Sequence, residues 1–103
     1  MDKTSDLEKL VQSAEQATSM LKAMSNQSRL MILCRLLDNE MSVSALNKDI
    51  PLSQSALSQH LAALRKAELV KTRRQAQTIY YRLADDKPQK IIAVLKQCFC
   101  PDI

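Results

Sequence analysis

The sequence predicts a mainly α-helical fold that carries one small β-hairpin. Two observations point to it. Apolar residues recur at helical spacing along most of the chain, and one stretch, residues 69–83, changes to β-branched and aromatic runs. Glycine is absent from all 103 residues, where average usage of about 7% would supply roughly seven.

The first helix shows a start signal in Ser5 with Glu8, a capping box, followed by Leu7, Leu10, Val11, Ala14, Ala17, Leu21 and Met24 at helical spacing. A second helix follows a Ser25-Asn26 cap, carries Leu30, Leu33, Cys34 and Leu37 on one stripe, and ends near Asp38-Asn39. Asn39 is the expected left-handed stop in a chain without glycine. Ser42 caps a short helix through about Asn47, Pro51 breaks the chain, and Ser53 caps a longer helix through about Ala67. Leu69–Arg73 and Thr78–Leu83 read as two strands joined by Arg74-Gln75-Ala76-Gln77. Asp85-Asp86 and Pro88 open a last helix whose stripe is Ile91, Ile92, Leu95 and Phe99, closed by Pro101. Short helix, turn, longer helix and then a hairpin make a winged helix-turn-helix. The expectation is one such domain over 1–103, with the terminal helices left for dimerisation.

Composition excludes several functions. Without glycine there is no Gly-rich phosphate loop. Three aromatic residues, Tyr80, Tyr81 and Phe99, cannot build a stacking platform for single strands. No nucleophile is paired at a telling spacing with the single histidine, so no enzyme is expected. The polar start and apolar runs of at most five residues predict neither a secretory signal nor a membrane span, hence a cytoplasmic protein.

The net charge of +4 is unevenly spread. Residues 48–84 hold seven basic against two acidic side chains, whereas residues 1–40 hold five against six. On a helical wheel, Leu57, Leu61 and Leu64 of the fourth helix form the buried stripe. Ser55, Ser58, Gln59, Ala62 and Lys66 project opposite. Small hydrogen-bonding residues let a helix approach base edges in the major groove, and Gln59 can pair with adenine at two points. Ser53, Gln54 and Ser55 sit at the positive helix end and suit phosphate contacts. Lys71, Arg73 and Arg74 of the hairpin, with Arg82, suit a clamp on the flanking backbone. The expected partner is double-stranded DNA. His60, flanking the buried stripe, reads as a packing residue rather than a metal ligand.

Residues Leu21–Leu30 (LKAMSNQSRL), Leu52–Leu61 (LSQSALSQHL) and Tyr80-Tyr81-Arg82-Leu83 resemble ArsR/SmtB-type repressors, over roughly residues 15–101. The resemblance implies a homodimer held by its first and last helices, with two recognition helices in successive major grooves of a palindromic operator. Many members sense metals, and here the chain departs from them. The segment Glu40-Met41-Ser42-Val43-Ser44-Ala45-Leu46 has serine at both thiolate positions of the family's metal box. Between Pro88 and Phe99 there is no His, Asp or Glu. No metal site and no cofactor are expected.

Cys34 and Cys100 resemble instead the pair of the family's dithiol subgroup, typified by HlyU, BigR, SqrR and YgaV, which responds to reactive sulfur species or oxidants. That resemblance implies a reversible disulfide or polysulfide bridge between them that lowers operator affinity. Three cysteines in a reducing compartment are in any case no structural framework. Arg35 and Lys96 lie close in sequence to Cys34 and Cys100 and favour thiolate, while the C-terminal dipole of the last helix opposes it. Three other readings stand beside this one. Cys34 on an apolar stripe also suits an inert buried thiol. Cys34, Cys98 and Cys100 together offer thiolates to arsenite or a soft metal, provided the last helix unwinds at Phe99. A winged helix can also serve as a protein-interaction module with no operator.

Overall fold

A computed structural model describes residues 3–102. Its elements are α1 (Lys3–Met24), α2 (Gln27–Arg35), β1 (Met41–Ser42), α3 (Val43–Asp49), α4 (Gln54–Lys66), β2 (Val70–Gln75), β3 (Thr78–Leu83) and α5 (Asp86–Phe99). The winged helix-turn-helix expected from the sequence is present, with one strand more. β1 pairs antiparallel with β3, Met41 opposite Tyr81 and Ser42 opposite Tyr80, and the sheet order is β1-β3-β2. Two residues carry no periodicity, so β1 becomes a strand only because the folded hairpin offers it an edge.

Most caps are those the sequence signals. Asn26 accepts the Arg29 N–H at 3.0 Å, Ser42 the Ala45 N–H at 3.1 Å, Ser53 the Ala56 N–H at 3.1 Å and Asp85 the Lys87 N–H at 2.9 Å. The Ser5/Glu8 box is not used, because α1 is already helical at Lys3. Nor does Asn39 stop α2; the left-handed residue is Asp38, at φ 63°. Its carboxylate accepts a hydrogen bond from the Gln89 amide and so ties the end of α2 to the start of α5.

Two other left-handed positions fall to Glu68 (φ 61°) and Ala76 (φ 56°), where glycine is the usual occupant. After α4, the Glu68 N–H donates to the Arg65 carbonyl at 3.0 Å and the Leu69 N–H to the Leu64 carbonyl at 2.9 Å. That is a Schellman motif, with Leu64 and Leu69 both fully buried as its apolar contact. Ala76 lies in the hairpin turn, which is tighter than expected: Gln75 pairs with Thr78, so Arg74 and Gln75 belong to β2.

The core gathers Ile32, Leu33 and Leu36 around α2, Leu46 and Ile50 around α3, Leu57, Leu61 and Leu64 of α4, Leu69, Val70 and Leu83 of the wing root, and Ile92 of α5. The α4 stripe is as expected. On α2 the buried line is rotated from the expected one, leaving Leu30, Cys34 and Leu37 only partly buried. Phe99, expected on the α5 stripe, is 81% exposed, because the helix outruns the core. Residues 6–19 of α1 are exposed as well, including Leu7, Leu10 and Val11. No helix among the described residues is long and apolar enough to cross a membrane.

Ala76→Gly should raise stability. A left-handed alanine costs about 1–2 kcal/mol and glycine's extra chain entropy returns roughly 0.5–1 kcal/mol of that gain. A rise of a few °C in Tm by calorimetry is expected; a fall would show that the turn does not carry this strain.

Candidate functional site

The turn between α3 and α4 is held by three features. Ile50 is buried beneath it, Pro51 forbids a continuous helix, and the Asn47 amide donates to the Leu52 carbonyl at 2.8 Å. The Asn47 contact carries no sequence signal of its own. With Leu57, Leu61 and Leu64 facing the core, Ser55, Ser58, Gln59 and Lys66 are exposed along one outer side of α4, and Ser53 and Gln54 are exposed at its N-terminal end. The Ser53 oxygen is occupied as a cap acceptor, which leaves its O–H free to donate outward. His60 is half-buried: its Nδ1 accepts from the Arg29 Nε–H at 3.1 Å.

The wing divides its cations between faces. Lys71 is opposite Arg82 and Arg73 opposite Tyr80, so these four share one face, while Arg74, opposite Ile79, lies on the other. Like charges facing each other across a ladder are unfavourable by themselves. Neither Lys71 nor Arg82 is ion-paired among the described residues. Arg73, expected to be a free clamp residue, is engaged instead. Its guanidinium lies 4.6 Å above the Tyr80 ring and reaches Glu40, with Nε at 2.8 and 2.9 Å from the carboxylate oxygens and Nη2 at 2.7 Å. The hydrogen bond that its guanidinium donates to Glu40 lifts the Arg73 pKa further above its ordinary value. Glu40 and Arg73 are 33 positions apart and meet only because β1 packs beside β3.

The thiols form the second half of the site. Cys34 and Cys100 line one cavity of about 550 Å³ whose wall is otherwise largely apolar, from Leu30, Met31 and Ile50. Arg35 pairs with Asp49 at 2.7 Å, so it is not the cation that acts on Cys34. Burial pushes the Cys34 thiol above its ordinary pKa, the nearby Cys100 adds to the rise, and the Lys96 ammonium pulls part of it back. Cys98 is exposed and does not line the cavity. Residues two apart on a helix diverge by about 200°, and α5 stays wound through Phe99. The three-thiolate arrangement for a soft ion is therefore not assembled, and among the described residues no three His, Cys, Asp or Glu side chains converge as a metal site.

Residues 26–72 match the family model for "Bacterial regulatory protein, arsR family". The chain is 47% identical over 95 residues to the transcriptional activator HlyU of Vibrio cholerae, covering 92% of this chain and 88% of that protein. It belongs to the arsR family. A solved structure of reduced HlyU from V. cholerae superposes with a TM-score of 0.86 at 47% identity, over 90% of this chain and 98% of that one. The biofilm growth-associated repressor of Agrobacterium fabrum is 41% identical, with 84% and 74% of the two chains covered. The homodimeric winged helix-turn-helix DNA-binding domain Mb0332 of Mycobacterium bovis gives a TM-score of 0.75 at 28% identity, over 95% and 85%. The relatives are named as regulators of transcription, not as enzymes, and this arsR-family chain is a transcriptional regulator too.

Because thiolate is the reacting form and Cys34 is held protonated, its alkylation by iodoacetamide at neutral pH should be slower than that of Cys98. Its rate should keep rising with pH past the ordinary range of a cysteine thiol, and Lys96→Gln should slow it further; peptide-resolved mass spectrometry reads both. Glu40→Gln should release Arg73 towards a polyanion. The dependence of log affinity for DNA on log salt should then steepen by about 0.9, one more phosphate neutralised.

Proposed function

We propose that the chain represses transcription as a homodimer on palindromic double-stranded operator DNA, and that a reversible Cys34–Cys100 bridge weakens its grip. The observation that carries this reading is the shared cavity: two thiols 66 positions apart in sequence open onto one apolar space, between the helix that leads into the reading motif and the end of the last helix. A solved structure of a 47% identical relative is described as reduced HlyU, which supports redox chemistry in this part of the family.

Ser55, Ser58 and Gln59 read base edges, Ser53 and Gln54 hold phosphates at the positive end of α4, and Lys66, Lys71 and Arg74 grip the flanking backbone. Arg73 joins them once DNA competes with Glu40. The second copy covers the exposed apolar side chains of the terminal helices. Leu7, Leu10 and Leu21 of α1 are 61, 64 and 55% exposed and Val94 of α5 61%, a spread of apolar surface that an isolated chain has no use for. The homodimeric description of Mb0332 supports the same assembly.

The bridge forms in two steps. The thiolate of one cysteine attacks a sulfane sulfur of a polysulfide, forming a persulfide and releasing the shortened polysulfide. The thiol of the second cysteine then displaces hydrogen sulfide, so the two thiols together lose two protons and two electrons. An oxidant such as peroxide takes the same pair of electrons through a sulfenic acid. Binding to both half-sites requires the recognition helices about 34–36 Å apart. A bridge that tilts α2 against α5 disturbs that spacing, and a coupling of about 1–3 kcal/mol corresponds to 5–150-fold weaker binding.

A duplex selected from a random library by the reduced protein serves as the operator. Treatment with sodium tetrasulfide should weaken binding at least fivefold, and Cys34→Ser should bind equally before and after treatment. Unchanged affinity with both thiols consumed rejects the switch. A monomer at micromolar concentration, or affinity indifferent to salt, rejects the dimeric operator-binding reading and favours a protein-interaction module.

A further inference from the structure

Arg29, in the first turn of α2, is part-buried and points away from Cys34. Five residues along a helix separate the two by roughly 7.5 Å of rise and about 140° of turn. Cys34 faces the cavity shared with α5, and the Arg29 guanidinium reaches the opposite way, to two other helices. Its Nε donates to Nδ1 of His60 on α4 at 3.1 Å, and an Nη donates to the Ala23 carbonyl, in the last turn of α1, at 3.3 Å. Arg29 thus joins the thiol-bearing helix, the reading helix and the long terminal helix.

We propose that Arg29 is a positioning residue that transmits the state of Cys34 to the recognition helix by holding His60. This rests on the reading that a Cys34–Cys100 bridge forms. The guanidinium is a permanent cation with donors only, so Nδ1 of His60 must be the unprotonated, accepting nitrogen and the ring proton sits on Nε2. A hydrogen bond with an ionised donor is of the stronger kind and directional. α2 is nine residues of continuous helix, and Ile32, Leu33 and Leu36 lock it in the core, so it moves as one piece. When the bridge draws Cys34 towards the end of α5, the same rotation carries Arg29 at the other end of the helix. His60 then either follows, turning α4, or loses its donor. His60 is flanked in sequence by Gln59, on the outer side of α4, and Leu61, in the core. A turn of the helix therefore moves the reading face directly.

His60 is the chain's single histidine, so its imidazole nitrogens give an unambiguous nitrogen NMR signature. In the reduced wild-type dimer, Nδ1 should resonate as an unprotonated hydrogen-bonded nitrogen, and forming the bridge with sodium tetrasulfide should shift it. Binding to the library-selected duplex is then measured, reduced and bridged, for wild type, His60→Leu and His60→Gln. Wild type should lose at least fivefold on bridging. In His60→Leu, which removes the acceptor, that ratio should fall to below twofold; in His60→Gln, whose amide oxygen can accept from Arg29, most of it should return. A wild-type ratio carried in full by His60→Leu, or an Nδ1 resonance that bridging leaves in place, overturns the proposal while leaving the dithiol switch standing. A wild-type ratio of one with the bridge formed overturns both. Should His60→Leu fail to fold, the resonance of the wild-type protein decides.

Discussion

Everything this molecule presents to its surroundings depends on how α4 is seated. Leu57, Leu61 and Leu64 are fully buried, and each such leucine contributes about 1.5–3 kcal/mol of apolar burial. Three residues at that spacing allow one rotation of the helix and no other. That rotation turns Ser55, Ser58 and Gln59 outward together, and it sets His60 at the boundary where Arg29 can reach it. The Schellman motif at Glu68 then fixes where the helix ends, with Leu69 packed back on Leu64, and so where the wing begins.

The absence of glycine makes the chain use strained residues at its turns. Asp38, Glu68 and Ala76 take left-handed backbone, one after each of α2 and α4 and one in the hairpin. Asp38 and Glu68 are polar, and Asp38 also holds Gln89, so the strained stop of α2 is coupled to α5 by a side chain glycine lacks. α2 is consequently anchored at both ends, by Arg29 at its start and by Asp38 just past its finish. Cys34 lies between these anchors, on the face that lines the cavity.

The electrostatics of the two halves differ in kind. On the wing, Lys71 faces Arg82, and neither is ion-paired among the described residues, an arrangement that a bound polyanion relieves. Arg73 is held over Tyr80 by Glu40. In the cavity the balance is set by burial, which keeps Cys34 protonated against the pull of Lys96. An ordinary thiol in an apolar pocket is slow to react with charged reagents. Both halves are thereby quiet in the isolated reduced chain.

The sequence by itself determined the helices, their order and the outward face of α4, because 3.6-residue periodicity, hydroxyl and carboxylate caps and Pro51 act over a few residues at a time. It also determined that the middle of the chain is cationic and that the metal box holds serines. The motifs that mark the arsR family lie within such local stretches, which is why the family was legible before the fold. What depends on distant partners was decided by the tertiary structure alone. β1 needed the edge of β3; Arg73 needed Glu40; Arg29 needed His60, 31 positions away; Cys34 and Cys100 needed α2 and α5 to close one cavity. The left-handed stop went to Asp38 rather than Asn39 because packing of α2 on the core, not intrinsic preference, chose the register of its last turn. Periodicity reports which face of an element is buried, whereas pairing across the fold depends on where the other elements are, and no local pattern encodes that.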